Sequence, residues 1–414
     1  MKQLSILLLA VFVLFPSCQM KDNNDPDPGG QDDNGPTVLL EYELAIPAAI
    51  TAGVLDQFLN SIGGFDFSDQ ILQNLTHLSV KVYKVTYKTT YNGEQHEASG
   101  MVVVPDTDQP LPVLSYQHGT IVRKNDAPSK FKGITGAGVE VGLNLVLASC
   151  GYVCAVPDYL GFGASEDLFH PYHHAESTAT ACIDLMRAVS ELCEELDVPL
   201  NNSYFLLGYS EGGFATIALQ KEIQSKYKST FPITASAAGA GAYNLLGTAQ
   251  AFMAQDVMTN PSYICYVFLA YNEVYGWQRD MGEIFQSPYK ERIEQGLFSG
   301  NLTKEEIDAQ LTVQTAELFT PTFLAAFRGD GENQLKNALQ ENNLTSGWYP
   351  EAPTRLYHGT SDSTVPPFNS EQAENSFVNQ GATGVEYIQL PGMTHVTGII
   401  PWIKGSVSWF ATLK

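Results

Sequence analysis

Five residues constrain this chain more than any others: Gly208-Tyr209-Ser210-Glu211-Gly212. They follow the short apolar run Tyr204 to Leu207, and they open directly into Gly212 to Tyr227, which reads as a helix. A strand that becomes a helix within so few residues has room only for a tight turn. Side chains flanking the serine would clash in such a turn, which is why glycines stand there. The turn pushes the Ser210 hydroxyl out at the end of the strand, and the helix N-terminus behind it favours negative charge. A strand–turn–helix of this form belongs to an α/β architecture.

The rest of the chain keeps that rhythm. Leu78 to Tyr91 has β-branched and aromatic residues at period two; a Tyr-Asn-Gly turn and Glu97 to Val104 complete a hairpin. Short apolar runs follow at Pro112 to Tyr116, Tyr152 to Val156, Tyr204 to Leu207, Ile233 to Ala237, Arg355 to Tyr357 and Val385 to Leu390. Runs of this kind fit central parallel strands buried on both faces. Ala175 to Leu196 carries Ile183, Met186, Val189, Cys193 and Leu196 at helical steps. From about Asn244 to about Tyr349 strand signals are sparse and helical ones frequent. Thr303 and Glu306 form a capping-box pattern there. The block reads as a helical insertion between two strands. The predicted class is therefore α/β, a mainly parallel sheet with flanking helices and an inserted helical cap. The predicted boundaries are 37–243 and 350–414 for the core and 244–349 for the cap.

A serine is a poor nucleophile near neutral pH without a base, and the base needs an orienting acid. Both follow in the chain. Asp362 lies in His358-Gly359-Thr360-Ser361-Asp362-Ser363-Thr364-Val365-Pro366, just past the Arg355 strand. His395 lies in Pro391-Gly392-Met393-Thr394-His395, just past the Val385 strand. Active sites of open α/β sheets collect at the C-terminal ends of strands, where all three residues fall.

On these motifs the chain resembles serine hydrolases of the α/β-hydrolase fold, over about Leu78 to Tyr243 and Thr354 to Lys414. The helical block before the acid strand, and the turn Pro157-Asp158-Tyr159-Leu160-Gly161, are similar to those of secreted lipases. The resemblance implies Ser210 as nucleophile, His395 as base and Asp362 as its orienting acid. It also implies an oxyanion site of two backbone N–H groups, one from Glu211 and one from the loop Tyr116-Gln117-His118-Gly119-Thr120, with Thr120 as that donor. The expected reaction is hydrolysis of a carboxylic ester through an acyl-enzyme, with no cofactor and no metal. The expected partner is a small-molecule, glycan or lipid ester. A serine peptidase of the same fold and a non-catalytic surface-binding lipoprotein are the competing readings. The peptidase reading lacks a propeller-sized extra domain, and a binder has no need of all three residues.

The N-terminus reads as an export signal. Lys2 precedes the apolar run Ile6 to Phe15, too short to span a bilayer but suited to a signal-peptide core. The run ends at Ser17-Cys18. Residues 1–17 resemble a bacterial lipoprotein signal, although Phe15 and Pro16 depart from its usual small or aliphatic residues. Cys18 would become the lipidated first residue; an ordinary secretory signal is the alternative. Residues 18–36, rich in Asp, Asn, Gly and Pro, read as a solvated tether. The Lys21-Asp22 pair resembles the surface-export signal of some bacterial lipoproteins. The expected location is the bacterial cell envelope, with the membrane reached through the lipid alone.

Charge supports the exclusions. Across 414 residues there are 45 acidic and 22 basic side chains, a formal charge of −23. Nucleic acid needs a basic patch, and anionic lipid would repel such a body. Beyond Cys18 the cysteines are Cys150, Cys154, Cys182, Cys193 and Cys265. Cys182 and Cys193 lie roughly 16 Å apart on one helix and cannot bridge each other; all five read as small buried hydrophobes. His170, His173 and His174 cluster before a helix but lack a carboxylate at metal-ligand spacing, so they read as edging the pocket or the helix start. Asp158 reads as a hydrogen-bonding turn residue, and the Glu211 side chain as a helix N-terminal charge without chemistry. Tyr263, Phe268, Tyr271, Tyr275, Trp277, Phe323, Phe327 and Trp348 divide between a pocket lining and a cap core. Trp402 and Trp409 read as core packing in a C-terminal helix.

Overall fold

Each short apolar run expected as a strand is one in the computed structural model, which describes residues 37–61, 78–133 and 139–414. The predicted signal peptide, the tether and Cys18 lie outside the described residues. A nine-stranded sheet runs in the order β1-β2-β3-β5-β4-β6-β7-β8-β9. Its members are β1 (Leu39–Leu44), β2 (Val80–Tyr91), β3 (Glu94–Pro105), β4 (Leu111–Gln117), β5 (Val153–Pro157), β6 (Leu200–Tyr209), β7 (Ile233–Gly239), β8 (Thr354–Gly359) and β9 (Val385–Leu390). β1, β2 and β3 pair antiparallel, as does β3 with β5; every pairing from β5 through β9 is parallel. The hairpin turn falls at Asn92 and Gly93, both at positive φ, as an Asn-Gly turn requires.

Alternation of side chains along the strands makes two cores. In β6, Tyr204 and Leu206 face one side while Phe205, Leu207 and Tyr209 face the other. The first face is covered by α3 (Ala175–Glu195) and α4 (Glu211–Lys226), the second by α2 (Val139–Ser149) and α14 (Ile399–Ala411). Coverage on both faces is why β4, β5 and the end of β6 read as unbroken apolar runs; β9, expected as a central strand, is instead the edge of the sheet and only partly buried. Trp402 on α14 is fully buried. It packs 5.0 Å from the Tyr209 ring and donates Nε1–H to Ala237 O. Trp409 is half-buried; it packs against the rim of the second core and lies under the Arg355 guanidinium.

Between β7 and β8 the chain runs through helices, among them α5 (Leu245–Met253), α6 (Pro261–Val274), α9 (Lys304–Asp308), α11 (Pro321–Arg328) and α12 (Asn333–Glu341). The Thr303–Glu306 capping box opens α9, with Thr303 N–H donating to Glu306 and Glu306 N–H to Thr303 Oγ1. Phe268, Phe323 and Phe327 stack on one another inside this layer, whose core continues into Phe214 and Ile217 of α4. The five cysteines expected to be buried are buried and free. Among the described residues no helix is long and apolar enough to cross a membrane.

The parallel register aligns the strand ends. Gln117 lies opposite Gly208, Tyr209 opposite Gly239, Gly239 opposite Tyr357, and Gly359 opposite Leu390. The loops after β4, β6, β8 and β9 therefore leave the sheet along one edge, and they carry Thr120, Ser210, Asp362 and His395.

Candidate active site

Ser210 stands between β6 and α4 at φ 61° and ψ −121°. That region costs a non-glycine residue about 1–3 kcal/mol and persists only where the surroundings enforce it. Here the Ser210 N–H donates to Gly239 O at 2.8 Å. The flanking glycines are enforced by contact. A Cβ on Gly208 would fall 2.2 Å from Gly212 O, and one on Gly212 would fall 1.9 Å from Gln117 O. The turn is compressed against β4 and its own helix.

The Ser210 hydroxyl lies 2.8 Å from His395 Nε2, and His395 Nδ1 lies 2.7 Å from Asp362 Oδ2. The carboxylate accepts from Nδ1–H, which leaves the Nε2 lone pair to accept the serine hydroxyl. The three residues named from motif order alone thus form one hydrogen-bonded chain. Asp362 has two further supports. Its Oδ1 accepts the N–H groups of Thr364 (2.8 Å) and Val365 (2.9 Å). Its Oδ2 also lies 3.3 Å from His358 Nε2. Burial pushes the Asp362 carboxyl up, but the His358 and His395 hydrogen bonds outweigh it and hold the group well below the usual carboxylate range. His358 is buried, with Nε2 at 2.9 Å from Val365 O and Nδ1 at 2.8 Å from Ser370 Oγ. Its Nε2 carries the proton, since Val365 O can only accept, and Nδ1 takes the Ser370 hydroxyl. The acid loop carries His358 four residues before Asp362, and nothing in its local sequence marks it for this task.

The loop after β4 is equally tied. The Gly119 N–H donates to Glu140 at 3.1 Å and is occupied. Among the described residues the N–H groups of Thr120 and Glu211 have no protein partner. The Thr120 hydroxyl pairs with Tyr172 OH at 2.9 Å, and Tyr159 OH donates to His118 O at 3.1 Å.

Glu211 stands in the first turn of α4, as expected, and its carboxylate is buried there, with Oε1 2.8 Å from His170 Nε2. Burial raises its affinity for a proton, yet His170 more than compensates, and the group is held below the ordinary glutamate range. The three histidines divide between the pocket and the helix start, the two places the sequence suggests. His170 meets Glu211, while His174 caps α3 by accepting from Ser177 N–H. His173 lines the pocket, and burial lowers it to about 4. Among the described residues no cluster of ligating side chains could hold a metal. Asp158 behaves as expected of a turn residue, accepting from Ser99 Oγ at 2.6 Å and Ser129 N–H at 2.7 Å.

A cavity of about 60 Å³ opens beside Ser210. Its walls come from α5 (Leu245, Ala249, Phe252) and α6 (Tyr263, Ile264, Val267), so the helical layer between β7 and β8 covers the serine. Of the aromatics weighed for a pocket role, Tyr263 reaches this cavity; Phe268, Tyr271, Phe323 and Phe327 are buried in the layer's core, and Trp348 packs on Phe377.

No curated protein matches the chain by sequence. Among solved structures, a candidate hydrolase of Legionella pneumophila is 27% identical, with a TM-score of 0.80 over 91% of this chain and 98% of that one. LipA of Xanthomonas oryzae, a rice cell wall degrading esterase, is also 27% identical, with a TM-score of 0.78 over 90% and 96%. Lipase A of Candida antarctica, at 15% identity and a TM-score of 0.64 over 90% and 82%, shares the fold. The secretory lipase family matches residues 127–412, well over half of the sequence. The chain therefore belongs to the secretory lipase family and is a carboxylic ester hydrolase of the α/β-hydrolase fold.

Proposed function

We propose that the enzyme cleaves acyl esters through a Ser210–His395–Asp362 triad and a covalent acyl-enzyme. The observation that carries this is the unbroken hydrogen-bonded chain, at 2.8 and 2.7 Å, ending on a serine in an enforced backbone conformation. His395 Nε2 takes the hydroxyl proton as Ser210 Oγ attacks the acyl carbonyl. Asp362 keeps Nδ1 protonated and stabilises the imidazolium that forms. The oxyanion of the tetrahedral intermediate is held by the N–H groups of Glu211 and Thr120; each such donor is worth about 3 kcal/mol in the transition state. The imidazolium then protonates the leaving alcohol oxygen, and the C–O bond breaks. Water, deprotonated by His395, attacks the acyl carbon, and Ser210 leaves with the proton.

The helices of residues 244–349 serve as the cap that excludes water and selects the acyl group. The cavity holds only a few water-sized atoms, which favours short acyl chains. Export, and anchoring through a lipidated Cys18, complete the proposal and rest on the N-terminal sequence alone. Replacing Cys18 with Ser would release the protein from membranes if that reading holds.

The test is turnover of p-nitrophenyl acyl esters by the wild type and by Ser210→Ala, together with labelling by a fluorophosphonate probe. The proposal expects turnover and labelling that both depend on Ser210. It fails if the folded wild type hydrolyses no ester and Ser210 escapes the probe.

A further inference from the structure

His170 has two ring nitrogens, and both face acceptors. Nδ1 lies 2.7 Å from Leu160 O, and Nε2 lies 2.8 Å from Glu211 Oε1. A main-chain carbonyl can only accept, so Nδ1 carries a proton. The contact at Nε2 then needs a second proton, either on the ring as an imidazolium facing a carboxylate, or on Glu211 as an acid facing a neutral ring. A neutral imidazole beside an ionised Glu211 satisfies only one of the two contacts. The pair as folded therefore holds one proton more than a neutral imidazole and a carboxylate do together.

This proton sits directly behind the nucleophile. Glu211 follows Ser210, and both side chains of the pair are 2% exposed. The tyrosines and His173 that face the pair do not compete for the proton. Tyr159, Tyr172 and Tyr266 ring His170, and burial raises all three well above the usual tyrosine range. His173 is lowered to about 4 by burial and stays neutral. His118 lies close enough to favour the Glu211 carboxylate, and its own ring nitrogens contact Gly119 O and Asp158 O.

The segment 158–172 also holds the other half of the oxyanion site. Tyr159 donates to His118 O, and Tyr172 pairs with Thr120. Gly161 packs so tightly on His170 that a Cβ there would meet its Cα at 2.5 Å. One loop thus grips both donors, and His170 is its hold on Glu211.

We propose that His170 is a positioning residue which, by a proton shared with Glu211, fixes the backbone N–H of Glu211 as an oxyanion donor, so that loss of this proton lowers kcat. The inference rests on the serine-hydrolase reading above. When the proton leaves, one of the two ring contacts breaks and the loop loosens from the start of α4. The effect falls on the transition state rather than on substrate binding, because the oxyanion forms only there.

His170→Phe keeps an aromatic ring and removes both N–H groups. Its kcat on a p-nitrophenyl ester should fall tenfold or more, with KM changed less than twofold. Glu211→Gln can donate its amide N–H to the Nε2 of a neutral His170, keeping both ring contacts without the extra proton. Its kcat should therefore hold to higher pH, moving the alkaline limb up by one pH unit or more whatever the height of its plateau. His170→Phe with an unchanged kcat, or Glu211→Gln with the wild-type alkaline limb, overturns the proposal. If His170→Phe does not fold, as judged by circular dichroism, the Glu211→Gln profile decides alone. Fluorophosphonate labelling of the wild type separates the two levels: unlabelled Ser210 means the serine-hydrolase reading has failed, whereas labelled Ser210 with unmoved profiles means that only the role of His170 has.

Discussion

The Tyr209 hydroxyl donates to the main-chain carbonyl of His395 at 2.7 Å. The residue just before Ser210 therefore holds the loop that carries His395, across 186 positions of sequence. The Tyr209 ring sits 5.3 Å from the imidazole and 5.0 Å from Trp402, so the aromatic stack of the core ends at the active site.

Tyr209→Phe should cost about 1 kcal/mol of stability, the net worth of one hydrogen bond. Because the lost bond fixes the His395 loop, kcat should also fall several-fold while KM holds. Thermal melts and steady-state kinetics on one ester check both halves. A melt that shifts with no change in kcat would reduce Tyr209 to a packing role.

Asp362→Asn should be far more damaging than its size suggests. The N–H groups of Thr364 and Val365 both point at Oδ1, so the amide oxygen must stay there. The amide NH₂ then faces His395 Nδ1, which becomes an acceptor and moves its proton to Nε2, toward Ser210. A base in that tautomer cannot take the serine proton, and kcat should drop about 10⁴-fold. The pH dependence of stability follows the same group. Its folded pKa lies below the unfolded value of about 3.9, so its contribution is present above that pH and is lost as pH falls through the folded value. Acid unfolding monitored from pH 5 to pH 2 should be less steep in Asp362→Asn than in the wild type.

What the amino-acid order reveals here depends on whether the information is local. β9, the turn around Ser210 and the order Ser210, Asp362, His395 could be read directly, because each lies in a short segment whose period or spacing is its own signature. β1 was harder: Leu39–Leu44 is a half-exposed edge strand beside the Asp-rich stretch, and its alternation, Leu40-Glu41-Tyr42-Glu43-Leu44, lasts only five residues. The pairing of His170 with Glu211 was also hidden. Glu211 at a helix start has an ordinary local explanation, and only the folded loop brings a histidine 41 residues away against it. Trp409 keeps its helical spacing from Trp402 and packs on the same core, at its rim, with the Arg355 guanidinium over its ring.

The size of the cavity makes a statement about substrates. About 60 Å³ beside Ser210, lined by Leu245, Ala249, Ile264 and Val267, accommodates a short apolar chain. Across a p-nitrophenyl series, kcat/KM should peak between acetyl and butyryl and fall at least tenfold by decanoyl. Ala249→Phe should fill the space and shift the optimum toward acetyl. A profile that rises to long chains would mean that the helices covering the serine move aside during turnover.

Asp158 is a buried acid of the opposite character to Asp362. It joins three segments: Oδ2 to Ser99 on β3, Oδ1 to the Ser129 N–H, and its own turn after β5. Desolvation dominates the hydrogen bonds it receives, so its folded pKa is raised. The protonated form is the one the fold prefers, and the associated stability is present below about pH 3.9 and lost as pH rises through the folded value. Asp158→Asn keeps the acceptor for Ser129 and offers N–H to Ser99 Oγ, without a charge to bury. At pH 7 its melting temperature should equal or exceed that of the wild type, and the difference should vanish toward pH 3. Asp158→Ala removes the acceptor and strands the Ser129 N–H, which should cost about 2 kcal/mol or more. Denaturant unfolding of both variants at pH 7 and pH 3 tests the assignment. If Asp158→Asn is as destabilised as Asp158→Ala at pH 7, the charge itself is needed, and Asp158 is more than a bracket for the turn.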